Sequence, residues 1–247
     1  MIFIVNATNR LRFAADLLQM HRHRKAAFVD VLGWDIPVVD DFEIDRYDRD
    51  DTTYLIAKRD VHAAVLASVR LLPTVKAHLM VDLFHDACLG NAPRGPQIWE
   101  VSRFCASPEV RSRRDRVQLF GEIVCGVMET AMANRVKRVT FSANTGLLPI
   151  SLACGWDAQR LGPTLPDGND RLTAVSAAID EEGLRRVQHR FGIAGPVVQL
   201  PSVSIRDRKV GDDRTDETSN DDPAAAETRR PPANSPAVAP CNQLSAS

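Results

Sequence analysis

The chain has 247 residues, of which 44% are apolar and 26% are charged, and its formal net charge at pH 7 is −1. This composition is ordinary for a soluble globular protein, and a net charge near zero gives no electrostatic signal for nucleic acid or an anionic membrane. No apolar run approaches the roughly 20 residues that a membrane-spanning helix needs. Residues 1–5 lack the basic start and the long apolar segment of a signal peptide, so we expect a cytoplasmic location.

Hydrophobic periodicity predicts strands and helices that alternate along most of the chain. The predicted strands are 2–5, 53–59, 63–71, 98–105, 139–142, 156–161 and 171–177, and the predicted helices are 9–32, 79–88, 116–134, 146–154 and 181–190. A tight turn at Arg59-Asp60 would join the second and third strands. Because strands and helices alternate after a β-β step, we expect a mixed α/β (α+β) fold in which helices flank one central sheet.

The composition changes near residue 205. From residue 206 to 247 the chain is rich in Asp, Arg, Pro, Ala, Ser and Thr and has few bulky apolar residues. Such a segment cannot bury enough apolar surface to offset the entropy lost on ordering. We therefore divide the chain into a folded domain at 1–205 and a disordered polar tail at 206–247.

An unusual set of side chains lies between residues 24 and 48. Arg24 and Phe28 are four apart in a predicted helix, which places them on one face, and Trp34 follows. The polar loop after them adds Glu43, Asp45, Tyr47 and Asp48. A stable fold does not need a cation, large aromatic rings and several carboxylates so close together. A pocket for a small ligand that is both zwitterionic and cationic does need them.

A second group of charged residues lies in the strand predicted at 98–105. Strand alternation places Glu100 and Ser102 on one face and Arg103 on the other. Charges in a central strand are costly unless they are paired or functional, and the alternative is an edge strand with solvated charges. Arg70 closes another apolar strand, and by itself such a residue is more often an ion-pair partner than a ligand contact.

Other residue types give weaker signals. The five cysteines form no CxxC pair and predict free thiols. His21 and His23 face different sides of a helix, and His85 has Asp82 and Asp86 nearby but no further ligand at a useful spacing. We predict no metal site.

Several segments together resemble the acyl-homoserine-lactone synthases of the LuxI type. They are Arg24-x3-Phe28-x5-Trp34, Glu43-x-Asp45-x-Tyr47-Asp48, Arg70-Leu71-Leu72-Pro73-Thr74, Phe84 and Trp99-Glu100-x-Ser102-Arg103-Phe104. The resemblance runs from about residue 1 to 195 and includes the segments 153–156 and 160–163. It implies a three-layer sandwich similar to the N-acetyltransferase fold.

The resemblance also implies a reaction. The amine of S-adenosylmethionine attacks an acyl thioester, and the methionyl carboxylate then displaces methylthioadenosine, which closes the lactone of a quorum-sensing signal. S-adenosylmethionine is a substrate here, and no cofactor is expected. By this resemblance the S-adenosylmethionine site consists of Arg24, Phe28, Trp34, Arg70 and Phe84. Arg24 would pair with the methionyl carboxylate, and the aromatic rings would make stacking or cation–π contacts.

The resemblance gives the catalytic residues as Glu100, Arg103, Asp45 and Asp48. Glu100 is the candidate base, acting directly or through a water, because the attacking amine must be neutral and a free α-amino group titrates near ~8. Arg103 is expected to hold an aspartate or the substrate. Asp45 and Asp48 would hold the substrate ammonium or organise the nearby arginines.

The acyl side of the site is expected farther along the chain. Thr140, Ser142 and Leu148 are predicted to line the acyl pocket, together with Leu147 and the helix at 116–134. Thr140 and Ser142 are equally placed to meet a 3-oxygen substituent. The acyl donor would contact Arg111, Arg113 and Arg114. This stretch lacks the glycines of a coenzyme A phosphate loop, which favours an acyl-carrier protein over acyl-coenzyme A. A solvated run of charges is the alternative interpretation.

Two other functions compete with this one. The first is an N-acetyltransferase of the same fold that acts on another amine, and the second is a non-catalytic module that binds a ligand or a partner in the same pocket. The glycine-free segment 111–116 disfavours the first, and the presence of both Glu100 and Arg103 disfavours the second.

Overall fold

The fold is described by a computed structural model that covers residues 1–168 and 170–199. The strands are β1 (Ile2–Val5), β2 (Val38–Val39), β3 (Phe42–Glu43), β4 (Thr53–Ala57), β5 (Ala67–Pro73), β6 (Ile98–Ala106), β7 (Arg138–Asn144), β8 (Ala158–Asp167), β9 (Asp170–Ala178) and β10 (Val198–Gln199). In the described residues, eight strands form one sheet in the order β10-β1-β4-β5-β6-β7-β9-β8, and β2 pairs with β3 in a separate hairpin. The tail predicted at 206–247 lies outside the described residues, so the domain boundary stays a prediction.

Five α-helices flank the sheet in the described residues. They are α1 (Ala14–Arg24), α2 (Leu79–Asp82), α3 (Arg113–Ala133), α4 (Leu148–Ala153) and α5 (Glu181–Phe191). A π-helical segment, Lys25–Val31, continues α1, and a single 3-10 turn, His85–Ala87, follows α2. The two helices on one side of the sheet have side-chain caps: the hydroxyl of Ser112 and the carboxylate of Asp180 each accept a backbone N–H of the first turn. No described helix is long and apolar enough to cross a membrane.

The helices form one layer on each face of the sheet. Helix α3 packs against β1, β4, β5 and β6, and α5 lies alongside α3 over the largest buried apolar cluster. Helices α1 and α2 lie on the opposite face, over smaller apolar clusters. This helix–sheet–helix arrangement confirms the predicted mixed α/β class. For brevity, the face covered by α3 is called the α3 face, and the other is called the α1 face.

Two predictions of secondary structure need correction. The link between β4 and β5 spans residues 58–66, so Arg59-Asp60 is not a tight turn between strands. The polar stretch after Trp34, which the composition indicates to be a loop, contains the β2–β3 hairpin. Both β2 and β3 have two residues, as does β10, and a strand of that length shows no periodicity that a sequence pattern can detect.

The sheet opens in its middle. The parallel strands β6 and β7 pair over Ile98–Glu100 and Arg138–Thr140, and both then continue without pairing to each other. Because β6 runs on to Ala106 and β7 to Asn144, a gap separates them beyond Glu100 and Thr140. The backbone groups that would have bridged these two strands face this gap. We refer to this space as the gap.

A β-bulge lies beside the gap. Ser68 of β5 pairs with Cys105, whereas Arg70 pairs with Ser102, so two residues of β6, Arg103 and Phe104, oppose a single residue of β5. Arg103 takes φ of 56°, a left-handed conformation that is uncommon for a residue other than glycine. A bulge of this kind changes the direction of a side chain relative to simple alternation and is frequent next to active sites.

Candidate active site

The gap holds a cavity of about 300 Å³. Strand β6 lines it with residues 101–104, and β7 lines it with Phe141, Ser142 and Asn144. On the α1 face its wall includes Phe28, Leu32, Trp34, Leu79, Phe84 and Leu172, and on the α3 face Phe120, Ile123, Val124, Val127, Leu147, Ser151 and Trp156. The cavity therefore passes through the sheet, and its two ends have different chemistry.

An ion network borders the α1-face end of the cavity. Asp45 lies at its centre: Arg70 donates to both carboxylate oxygens, at 2.6 Å from Nη1 and 3.1 Å from Nη2. Arg103 Nη2 donates to Asp45 Oδ2 at 2.8 Å and to Glu43 Oε1 at 3.0 Å. Arg24 donates to Glu43 and, through Nη1 and Nη2, to Asp48 at 2.8 and 2.9 Å. Three arginines and three carboxylates thus share one connected network.

The charges of this network are matched and almost fully buried. Burial alone would lower the pKa of Arg24, but hydrogen bonds and charges from Asp48 and Glu43 outweigh it and raise the pKa. Burial alone would raise the pKa of Asp48, but Arg24 and Arg70 hold that pKa far below its usual range. Tyr54 also donates to Asp48, at 2.7 Å. Arg24 and Asp48 therefore stay ionised across the physiological pH range.

Several residues that were predicted to contact a ligand belong to this ion network instead of the cavity wall. Arg24, Asp45, Asp48 and Arg70 are brought together, but none of them lies on the cavity wall. The side chain of Arg24 is 1% exposed, and its donors point to Glu43 and Asp48. The predicted direct pairing of Arg24 with a ligand carboxylate is therefore not the arrangement in this structure, because the hairpin and the loop after it supply carboxylates that sequence spacing does not locate.

Arg103 is the one cation on the cavity wall within the described residues. Simple alternation predicts that it lies opposite Ser102, but the bulge brings it toward Asp45, the same carboxylate that binds Arg70. Ser102 is the hydrogen-bond partner of Arg70 Nε, at 3.0 Å. The predicted separation of Ser102 and Arg103 onto two faces is wrong for this reason.

Two aromatic rings form a platform beside Arg103. Phe28 and Trp34 stack with ring centroids 4.9 Å apart and an angle of 13° between their planes. The turn that follows the π-helical segment has Gly33 at φ of 68°, and the Trp34 backbone N–H returns to the Phe28 carbonyl at 2.9 Å. The guanidinium carbon of Arg103 lies 5.5 Å from the Phe28 ring centroid and 5.9 Å from that of Trp34. These distances are within cation–π range.

Glu100 is buried at the point where β6 and β7 separate. Its carboxylate accepts the backbone N–H groups of Leu79, at 3.1 Å, and Met80, at 2.6 Å, which begin α2. Burial raises the pKa of Glu100 to about 7 and outweighs these two hydrogen bonds, which lower it. Glu100 does not line the cavity, but Leu79 beside it does, as does Phe84 after α2. With this pKa, the Glu100 carboxyl group can exchange a proton near neutral pH. Its two hydrogen bonds also hold the start of α2 against β6.

The residues predicted for the acyl pocket are only partly on the wall. Ser142 lines the cavity, whereas Thr140 is buried off the wall, with no hydrogen-bond partner for Oγ1 among the described residues. Leu148 is also buried off the wall, and Leu147 next to it takes the wall position. The helix predicted to border the acyl chain contributes Phe120, Ile123, Val124 and Val127 to the wall. These α3 residues follow the i, i+3, i+4, i+7 spacing of one helix face. The sequence did not indicate Phe104, Asn144 or Trp156 as wall residues.

Arg111, Arg113 and Arg114 lie around the start of α3 and are exposed. Arg113 and Arg114 line a second, shallow cleft of about 420 Å³ that also contains Val117, Gln118, Arg190 and Phe191. Sequence reasoning did not predict Arg190, which comes from α5. The cleft is thus a basic surface separate from the ion network.

Chemistry based on cysteine or a metal finds no support in the described residues. Burial raises the pKa of Cys105 and of Cys125 to about 12 and that of Cys154 to about 11, so these thiols stay protonated. Across residues 1–168 and 170–199 there is no group of three or more His, Cys, Asp or Glu side chains arranged to hold a metal ion.

Comparison with known proteins identifies the family. The family model described as "Autoinducer synthase" matches residues 8–187. An acyl-homoserine-lactone synthase of Ralstonia nicotianae is 33% identical over 181 residues, which cover 71% of this chain and 88% of that protein. An isovaleryl-homoserine lactone synthase of Bradyrhizobium diazoefficiens is 32% identical over 202 residues, which cover 81% of this chain and 89% of that protein.

Solved structures agree with this. The chain is similar to the CoA-dependent acyl-homoserine lactone synthase BjaI with SAM and isopentyl-CoA, with a TM-score of 0.72 and 28% identity over 81% of this chain and 92% of that one. It is also similar to the AHL synthase LasI, with a TM-score of 0.66 and 25% identity over 76% of this chain and 94% of that one. Because the family model spans most of the chain and relatives above 30% identity match most of its length, the chain belongs to the autoinducer synthase family.

Proposed function

We propose that this protein is an acyltransferase that makes an N-acyl-homoserine lactone signal from S-adenosylmethionine and an acyl thioester. The observation that carries the proposal is the cavity through the sheet, with an ion network at one end and an apolar wall at the other. Such a cavity suits two substrates that enter from opposite faces and meet at the gap. Relatives named acyl-homoserine-lactone synthases support the same reaction.

In this proposal S-adenosylmethionine occupies the α1-face end. The Arg103 guanidinium faces the methionyl carboxylate, and the rings of Phe28, Trp34 and Phe84 contact the rest of the molecule. Arg24 and Arg70 act indirectly, since they hold Glu43, Asp45 and Asp48 in the positions that fix Arg103. A fixed guanidinium loses little freedom when the substrate binds, which favours binding in one orientation.

The first chemical step forms an amide. The neutral amine of S-adenosylmethionine attacks the thioester carbonyl, the C–S bond of the thioester breaks, and the thiol leaves with a proton. Glu100, with its pKa near 7, accepts the amine proton through a bridging water. The backbone groups of β6 that face the gap are the candidate donors for the oxyanion, because β7 does not pair with them there.

The second step closes the lactone. The methionyl carboxylate oxygen bonds to the γ-carbon of the same methionyl group, the bond from that carbon to the sulfonium breaks, and neutral methylthioadenosine leaves. Orientation is the main requirement, because the sulfonium is already a good leaving group. Arg103 must orient the methionyl carboxylate but bind it weakly enough for the oxygen to attack. This role suits Arg103 because Glu43 and Asp45 already hold its side chain in place.

The acyl donor contacts Arg111, Arg113 and Arg114, of which the last two line the basic cleft. We favour an acyl-carrier protein, whose acidic surface would be attracted to this cleft, and acyl-coenzyme A is the alternative. The similar protein BjaI is a CoA-dependent acyl-homoserine lactone synthase, so acyl-coenzyme A thioesters are included in the test.

A single experiment tests the proposed function. The purified full-length chain is incubated with S-adenosylmethionine and a panel of acyl-carrier proteins and acyl-coenzyme A thioesters, and products are identified by mass spectrometry. We expect an acyl-homoserine lactone and methylthioadenosine in equal amounts. An acylated amine without methylthioadenosine would indicate an ordinary N-acyltransferase, and binding without turnover would indicate a non-catalytic module.

A further inference from the structure

One side of α3 forms a straight apolar wall of the cavity. Phe120, Ile123, Val124 and Val127 line it at the spacing i, i+3, i+4, i+7, so they lie in one row along the helix. At the rise of an α-helix, the row is about 10 Å long. We call these four residues the α3 row.

The row has an entrance and an end. Phe120 makes an edge contact with Phe104 of β6, with ring centroids 5.4 Å apart, at the level where β6 and β7 no longer pair. Helix α3 connects the end of β6 to the start of the parallel strand β7, so it runs back antiparallel to both. Val127 therefore lies nearer the level where the two strands are joined. An apolar chain that enters beside Phe120 advances toward Val127.

Trp156 closes this end. Its ring stacks on that of Phe141, with centroids 5.5 Å apart, and its Nε1–H donates to the Ser151 carbonyl at 2.7 Å. The side chain is thus held by both a ring contact and a hydrogen bond, and it is only 7% exposed. Its polar atom already has a partner, so the face toward the cavity presents hydrocarbon.

The end of the pocket is also supported from behind. A Cβ placed on Gly155 would lie 2.8 Å from the Val187 backbone nitrogen of α5, and one on Gly183 would lie 3.7 Å from the Trp156 Cα. The backbone around Trp156 therefore packs directly on α5 and has no space to move back. A longer ligand would have to displace α5 or the stacked rings, which close-packed interiors resist.

We propose that Trp156, with Phe141 and Val127, sets the upper limit of acyl-chain length in this enzyme, at about eight carbons, the extended chain that matches a row of about 10 Å. The inference rests on the proposed function, since it assigns the α3-face end of the cavity to the acyl chain. Trp156 is a specificity-determining residue in this account, because it contacts the far end of the chain rather than the reacting atoms.

The test measures kcat/KM of the full-length chain for acyl donors of increasing length, from roughly four to roughly fourteen carbons, at saturating S-adenosylmethionine. We expect a decline of about tenfold or more per added carbon pair beyond about eight carbons, the size of effect that a filled apolar pocket gives. Trp156→Leu should move the limit to longer chains, and Val127→Phe should move it to shorter ones. Val175→Ala is the matched control, because Val175 is fully buried in the same apolar cluster but does not line the cavity.

The outcomes separate this inference from the proposed function. If the unmodified chain makes no lactone from any donor, the proposed function fails. If it makes lactone but prefers donors of roughly twelve carbons or more, or if Trp156→Leu and Val127→Phe both fold and keep the profile of the unmodified chain, the length limit is wrong. Thermal unfolding of each variant shows whether it is folded, and Val127→Phe adds volume rather than removing it, so the test does not depend on one variant.

Discussion

The two ends of the cavity are built in opposite ways. On the α1 face, six charged side chains satisfy one another through hydrogen bonds of defined direction, and Arg103 is the one that reaches the cavity wall within the described residues. On the α3 face, most of the wall consists of apolar side chains that fill space, and Trp156 is held by a single hydrogen bond to the Ser151 carbonyl. The polar end therefore depends on residue identity, whereas the apolar end depends on volume and shape. Substitutions at the two ends should fail in different ways.

The largest expected effect breaks the buried part of the ion network. Arg24→Ala leaves Glu43 and Asp48 buried with fewer partners, so we expect the free energy of unfolding to fall by about 3–5 kcal/mol. Urea unfolding measures it. Arg22→Ala, on the same helix but with its side chain 56% exposed, is the control and should change stability by less than about 0.5 kcal/mol. Equal stability of the two variants would show that the network does not hold the polar end together.

The next effect separates proton transfer from binding. Glu100→Gln removes the proton acceptor and should lower kcat by about 10²–10⁴-fold while changing the KM for S-adenosylmethionine much less. For the unmodified chain, kcat/KM should rise with pH through about 7, as the carboxylate ionises. The variant should lose this limb of the profile. A variant that keeps both the rate and the limb would remove Glu100 as the base.

The same raised pKa predicts a change of stability with pH. Between the ordinary pKa near 4.5 and the folded value of about 7, the folded chain holds the Glu100 proton more tightly than the unfolded chain does. The contribution of Glu100 to stability should therefore decline as pH rises across this interval. Unfolding at several pH values tests the sign, and Glu100→Gln should flatten that dependence.

A smaller effect tests whether the cavity wall needs an arginine, rather than any cation, at position 103. Arg103→Lys keeps the charge but loses the planar set of donors that Glu43 and Asp45 share, so we expect kcat/KM for S-adenosylmethionine to fall by about 10–100-fold. The matched control is Arg46→Lys, because Arg46 pairs with Asp82 at the surface and its side chain is 65% exposed. Comparable kinetics for both variants would place Arg103 outside the substrate site.

The smallest effect concerns the surface cleft. Replacing Arg113 and Arg114 by Ala should raise the KM for an acyl-carrier protein by about 3–10-fold, and added salt should shrink the difference, because exposed charges are screened. The control is Arg185→Ala, which removes an exposed arginine from α5 that pairs with Glu182. An unchanged KM for carrier protein would favour the solvated-charge interpretation of this cleft.

Most of the secondary structure and the identity of the polar site residues can be predicted from the sequence, because both depend on local patterns of residue type. Apolar periodicity predicts β1, β6, α3 and α5 close to their observed limits, since burying one face of a strand or helix requires that spacing. The set Arg24, Asp45, Asp48, Arg70 and Arg103 is also readable, because such residues are costly in a core unless they meet. Residue type alone therefore identifies which side chains belong to the polar end.

Tertiary structure decided where those side chains point. The bulge at Arg103 depends on the register between β5 and β6, a long-range pairing that local spacing does not determine. The burial of Arg24 follows from a hairpin too short to show periodicity, and the wall positions of Ser142 and Leu147 follow from the gap between two strands that are distant in sequence. The sequence thus determined which chemistry is present, whereas the packing of distant strands decided which groups reach the cavity, because both register and burial are properties of pairs of segments.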